Sequence, residues 1–287
     1  MTIFIVSILI FFLFVSTILI LGVLFLNRYV NDAEVRSIEK QPFSNSIQKV
    51  LAIFAHPDDE VMVAGTLAKF KDAGIETHLL YLTHGEDGPT GGLVSQEELG
   101  KRRAIELKQV GQILQVNSLE VLNFPDRYLN QVATNEIIAE IKKRFDRIQP
   151  DTVICFDQTI GLYGNSDHVV SGRVVYELAY SSGVKNLLIM TLPTPMIELA
   201  LKVSKTFKER YDTQNGLPPA NGCIKIRGYS KQKKEVIKAH QTQKEVMNDV
   251  QPLWDKVPYW IYYRIFSREY FNCVVSTEYD GGLDERA

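Results

Sequence analysis

From Gln48 onward, short apolar runs alternate with stretches whose apolar residues recur at helical spacing, and that rhythm admits few folds. The runs "VLAIFA", "THLLYLT", "LEVLNF", "TVICF" and "NLLIMTL" read as strands. Between them, helices are expected from about Glu60 to Lys71, stopped by "DAG", and from Gln96 to Leu114. A third covers "TNEIIAEIKKRFDRIQP" with Thr134 as N-cap, and a fourth follows Asp167. In the third, Ile137, Ile138, Ile141, Phe145 and Ile148 fall on one stripe, the face a sheet covers. Such alternation predicts an α/β fold, a three-layer sandwich around a mostly parallel, Rossmann-like sheet. Right-handed crossovers gather the loops after the strands at one edge, where ligands bind. After Pro193 the rhythm weakens. "TPMIELALKVSKTF" reads as a helix, "CIKIRGY" as a strand and "KQKKEVIKAHQTQKEVM" as one amphipathic helix, completing a single domain over residues 48–287.

Ahead of this domain, Ile3 to Phe25 carries no charged residue and is long enough to cross the hydrocarbon core of a bilayer. Residues 1–26 therefore read as a transmembrane anchor and 27–47 as a polar linker. A cleaved signal peptide is the competing reading, but the positive charge before the run, the shorter apolar region and the small-residue cleavage site are not evident. The nearby basic residues, Arg28, Arg36, Lys40 and Lys49, all follow the span, which predicts a single-pass membrane protein with its domain facing the cytoplasm. Three scattered cysteines, Cys155, Cys223 and Cys273, suit a reducing compartment better than a disulfide framework. A net charge of −2 gives no basic excess for nucleic-acid phosphates, so small-molecule chemistry is the starting expectation.

The chemistry concentrates in "AHPDDE" (55–60), which falls at the end of the first strand. Three acids in one turn repel one another unless something positive holds them. A turn with a helix N-cap explains the acids but not His56. A divalent cation explains both, because a tight turn can aim His56 and Asp59 at one ion. Catalytic zinc takes three protein ligands and leaves a position open. The best third candidate is His168 in "YGNSDH", since it follows a strand whose end lies on the same edge.

These motifs resemble those of the PIG-L/LmbE family of zinc-dependent N-deacetylases, which act on N-acetylglucosamine-containing substrates. The resemblance extends from Lys49 to about Gln243 and includes "LTHGEDG", "RAIEL", "FPD" and "AHQTQ", in the family's order. It implies His56, Asp59 and His168 as metal ligands, with zinc or else iron as the ion, and Asp58 as general base. It also implies substrate contacts from Arg103 and Asp126. Relatives carry a histidine where Asn165 stands, and an asparagine can donate a hydrogen bond but not a proton near neutral pH. Asn165 and His240 are therefore the candidates for the remaining catalytic role. The expectation is a membrane-anchored hydrolase that removes the N-acetyl group from an N-acetylglucosamine-containing glycolipid or glycoconjugate. The alternatives are a deacetylase of a small soluble N-acetylglucosaminyl conjugate and a zinc-binding pseudoenzyme, although a pure binder has no use for Asp58. A nucleotide-binding protein is disfavoured, because no G-x-G-x-x-G follows the first strand.

Overall fold

The first strand, "KVLAIF", is buried at five of its six positions, the pattern of a strand covered on both faces. It lies inside a seven-stranded sheet of order β3-β2-β1-β4-β5-β7-β6 in the computed structural model, which describes residues 2–275. β1 (Lys49–Phe54), β2 (Glu76–Thr83), β3 (Ser118–Phe124), β4 (Thr152–Cys155) and β5 (Asn186–Thr191) are parallel. β7 (Arg268–Val275) runs antiparallel to both β5 and β6 (Gly222–Lys225), so the sheet is mixed. The sequence pattern revealed the five parallel strands and β6 but not β7.

The long N-terminal helix is α1 (Thr2–Val30). α2 (Ala64–Asp72) connects β1 to β2 and α3 (Gln96–Leu114) connects β2 to β3. α4 (Thr134–Ile148) then returns the chain past β1, and β4 leads through the single turn α5 (Gly161–Gly164) and α6 (Ser166–Ser181) to β5. With right-handed crossovers, this reversal puts α4 and α6 on the face opposite α2 and α3. α4 and α6 pack together, while α2 and α3 pack with α9 (Ser230–Ala239). The reversal between β1 and β4 opens a crevice at the carboxyl ends of these strands, where sheets of this type bind ligands.

Several local expectations shift for tertiary reasons. The helix expected from Glu60 begins instead as a 3₁₀ turn, Asp59–Met62, and α2 starts at Ala64. Glu269 of β7 accepts from Gly65 N at 3.0 Å and Thr66 N at 2.6 Å, capping that later start. Thr134 is the first residue of α4 and Ala133 is its cap position. The stretch 194–207 divides into α7 (Thr194–Val203) and α8 (Lys205–Arg210), because Ser204 Oγ accepts from Phe207 N and caps the second helix. The helix expected over 231–247 ends at Ala239 and resumes as α10 (Lys244–Val250), interrupted at His240 (φ −80°, ψ 63°). α11 (Tyr259–Ile265) precedes β7.

α1 is apolar from Phe4 and its apolar window is unburied. At 1.5 Å per residue, the 27 residues Phe4–Val30 extend about 40 Å, more than a hydrocarbon core of about 30 Å. The segment read as a linker is held firmly against the domain. Asn27 Nδ2 donates to Arg264 O (2.7 Å), Ile265 O (3.0 Å) and Ser267 Oγ (2.8 Å), and Asn31 Nδ2 donates to Ile265 O at 2.6 Å. Ile38 joins the main core, and Cys223 N donates to Arg36 O at 3.0 Å.

Candidate active site

Beyond Ala55 the chain turns through Asp58 at φ 105°, a left-handed conformation that costs a non-glycine residue about 1–3 kcal/mol and persists only where neighbours enforce it. Here they do. Glu60 Oε2 accepts from Asp58 N at 3.1 Å, Asp59 Oδ2 accepts from His56 N at 2.7 Å, and the Arg103 guanidinium donates to Pro57 O. Arg103 Nη2 also pairs with Asp58 Oδ1 at 3.0 Å.

The partner loop comes from β4 and α6. Asn165 Oδ1 accepts from Asp167 N (2.9 Å) and His168 N (3.4 Å), so Asn165 is the N-cap that sets His168 in the first turn. His168 Nδ1 faces Gly161 O at 2.9 Å, and its ring stacks on Phe156 with centroids 3.8 Å apart. Gly161 has φ +54°, and a Cβ there would lie 2.6 Å from His168 Cβ, so only glycine fits under the imidazole.

These contacts define which nitrogens are free. His56 Nε2 sits 3.1 Å from Asp126 Oδ1 and 3.2 Å from Asp167 Oδ2; ionised carboxylates only accept, so Nε2 carries the proton. His168 Nδ1 is protonated for the same reason, facing a carbonyl. The lone pairs of His56 Nδ1 and His168 Nε2 then point at each other across 3.2 Å, with Asp59 Oδ1 3.1 Å from the second and Oδ2 3.7 Å from the first. Two acceptors and a carboxylate so disposed need a cation between them. Zinc–nitrogen bonds of about 2.0–2.1 Å at a tetrahedral angle separate two nitrogens by roughly 3.3 Å, so His56, Asp59 and His168 fit a divalent ion. Electrostatics agree. Burial disfavours a charged His56, yet the hydrogen bonds it donates to Asp126 and Asp167 and the charge of Asp59 raise its pKa to about 10, so positive charge is favoured at this point.

Asp58 stands beside His56, Asp59 and His168, and burial pushes it up to about 6 against the opposing pull of Arg103. The other sequence-predicted residues are tied into the turns around it. Arg103, expected to grip substrate, is 3% exposed, and its guanidinium is used on Asp58, Pro57 O and Gly85 O (3.0 Å). Gly85 (φ +64°) makes room for it, since a Cβ there would lie 2.2 Å from Nη1. Asp126, also expected to contact substrate, is buried behind His56 and accepts from Asp87 N at 2.8 Å. Both side chains are thus engaged by the turns that carry Asp58 and His56. His240 is buried and bonded to Glu60, whose other oxygen holds the Asp58 amide. Burial disfavours the His240 imidazolium, but the Glu60 carboxylate beside it prevails and the imidazole pKa is raised. Asn165 caps a helix.

The sequence reading missed two residues. Asp167 orients His56 while accepting from Arg127 N at 2.7 Å; its place directly before His168 was the available signal. Tyr163 stands edge-on to His168, centroids 5.2 Å apart, and lines a cavity of about 170 Å³ together with Asp58, Asp59 and His168. Burial, then Asp59 and Asp58, raise its phenol well above the ordinary range, so it is a hydrogen-bond donor at any working pH. Nothing in "LYG" announces it except the glycines around a turn that places Leu162 at φ 78°.

Comparison with known proteins matches residues 51–179 to the PIG-L family, described as GlcNAc-PI de-N-acetylase. The diacetylchitobiose deacetylase of Thermococcus kodakarensis is 36% identical over 147 residues, which cover 51% of this chain and 54% of that protein. A probable N-acetyl-alpha-D-glucosaminyl L-malate deacetylase 2 of Bacillus anthracis is 26% identical over 229 residues, with 74% and 94% covered. This chain thus spans about half the length of the first relative and nearly all of the second. Among solved structures, the N,N'-diacetylchitobiose deacetylase of Pyrococcus horikoshii shares the fold at a TM-score of 0.59 and 22% identity, covering 86% of this chain and 90% of its own. The matched segment, which runs from the first strand of the sheet through the helix that carries His168, is a PIG-L family domain.

Proposed function

We propose that the protein is a zinc-dependent N-deacetylase that removes the acetyl group from an N-acetylglucosamine-containing glycolipid or glycoconjugate. The reading is carried by one observation: the facing lone pairs of His56 Nδ1 and His168 Nε2, closed by Asp59, with the carboxylate of Asp58 beside them and in the same cavity. His56, Asp59 and His168 would hold a divalent ion there, which would supply an acidified water and polarise the amide carbonyl.

The chain's own groups do the rest. Asp58, held by Arg103 on one oxygen, removes a proton from the water as it attacks the carbonyl carbon. The Tyr163 hydroxyl, protonated throughout, donates to the oxygen that gains charge. The C–N bond then breaks, and the proton on Asp58 passes to the departing amine, giving acetate and the free amino sugar. Asp126 and Asp167 hold the His56 ring in one tautomer and orientation, as carboxylates behind a ligating histidine do.

The membrane part of the proposal rests on α1, whose apolar length suffices to span a bilayer and whose last turn is fixed to the domain through Asn27 and Asn31. The basic residues after the span favour a cytoplasm-facing domain. A panel of N-acetylglucosamine conjugates, lipid-linked and water-soluble, assayed for free amine and acetate tests the function. Release from lipid-linked members supports the full reading, and release from small soluble members alone transfers the function to a soluble conjugate. No release from any member, with metal bound, is the pseudoenzyme result.

A further inference from the structure

The cavity that begins at Asp58, Asp59 and His168 does not end with polar groups suited to a second sugar. It continues between α7, α10 and α11 along Met196, Leu199, Val203, Val246, Val250 and Phe266. The charged residues along the way are already paired. Lys233 is bonded to Glu269 and donates to Met62 O at 3.2 Å, and Arg268 Nη1 donates to Asp32 O at 2.6 Å. An apolar path with its charges neutralised is a poor site for hydroxyls and a good one for hydrocarbon.

Where this path leads names its occupant. α7 and α11 both pack on α1 near its exit from the apolar span, and Asn27 ties α1 to the last carbonyls of α11. Tyr29 (49% exposed) and Trp260 (57% exposed) stand open on these two elements, the residue types that collect at a membrane–water interface. The helices that wall the cavity are thus the ones nearest the proposed bilayer.

We infer that the groove between α7 and α10–α11 binds an aliphatic chain of the substrate, attached on the side of the sugar that leaves with the amine. This rests on the deacetylase reading, since the acyl group cleaved there is acetyl and a longer chain belongs to the aglycone. A cavity of about 170 Å³, shared with the catalytic groups, compares with the roughly 150 Å³ that accepts a benzene molecule, so at most about six carbons are held and the remainder of a long chain extends toward α1.

The experiment uses the full-length, zinc-loaded protein and two ligand series of one to ten aglycone carbons, kept below micelle-forming concentrations. Alkyl β-glucosides report binding by calorimetry, and alkyl N-acetylglucosaminides report amine release. A buried methylene contributes about 0.8 kcal/mol, so affinity is expected to rise up to about fourfold per carbon and level off near six. Leu199→Trp, filling the groove, should flatten the dependence while the methyl N-acetylglucosaminide is still hydrolysed. Val250→Trp, from the facing wall, does the same if the first variant does not fold. Affinity independent of chain length, with methyl and hexyl substrates hydrolysed at equal kcat/KM, overturns the groove and leaves the deacetylase reading intact. A steep binding series without hydrolysis of any member supports the groove and removes the deacetylase reading instead. Preference for an N-hexanoyl methyl glycoside over an N-acetyl hexyl glycoside moves the chain to the acyl side and overturns the assignment.

Discussion

Replacing Arg103 with methionine separates a residue that orders the general base from one that grips substrate. The side chain is 3% exposed and its charge is opposed by Asp58, 12% exposed, at 3.0 Å. Removing one partner of a buried pair costs about 3–5 kcal/mol, because the other charge stays buried and uncompensated. Two carbonyl acceptors, Pro57 O and Gly85 O, lose their donor as well. At roughly 2–4 °C per kcal/mol for a domain of this size, the melting temperature should fall by on the order of 10 °C. Catalytically, the strained Asp58 turn loses a clamp and its carboxylate loses the charge that opposes its raised pKa, so kcat should drop by tenfold or more. KM for a small N-acetylglucosaminide should change little, since Arg103 does not line the cavity. Melting curves and steady-state kinetics on the same preparation give all three numbers. An unchanged melting temperature with a raised KM and intact kcat would refute this account and return Arg103 to the substrate.

His168→Ala should lose stoichiometric metal, because two of the three donors cannot hold the geometry; elemental analysis of the purified variant checks it, and one ion per chain would remove the site as drawn. Asn165→Ala should destabilise the protein by about 1 kcal/mol through loss of the cap, and Asn165→Asp should restore that stability, both read by denaturant unfolding. Asn165→His also gives up the cap that sets His168, so its turnover should fall and not rise. Tyr163→Phe should keep its metal and lose kcat by up to about a hundredfold, the scale of an oxyanion donor; full activity would exclude the hydroxyl from the reaction.

The legible parts of this chain are those whose signal is local. β1 to β5 are short apolar runs between helical stretches, and a histidine and acids at the end of such a run mark a site wherever the sheet's edge gathers its loops. His56, Asp59 and His168 were readable on that basis, and the structure brings them together. What was not readable depends on distant partners. β7 pairs with β5 about eighty residues earlier and inserts between it and β6, and no turn signal joins them. The break between α9 and α10 follows from His240 turning inward to Glu60, 180 residues away, against an amphipathic pattern that continues through it. Arg103 follows Lys101 and Arg102, a run that resembles a solvated face; only the rotation of α3 shows that this one guanidinium points inward. The helix pattern identifies a residue's type and face but not the loop it meets, so the pairing of Arg103 with Asp58, like that of Asp126 with His56, is legible only in the structure.

The most direct test of the central claim is a titration of zinc into chelator-stripped protein, following bound metal and amine release from an N-acetylglucosamine glycoside together. Release should rise with zinc and saturate at one ion per chain, held by His56, Asp59 and His168. Asp58→Asn should bind the same single ion yet turn over slower by about a hundredfold or more, the scale of a general base. Undiminished release from the metal-free protein, or from Asp58→Asn, would contradict the account.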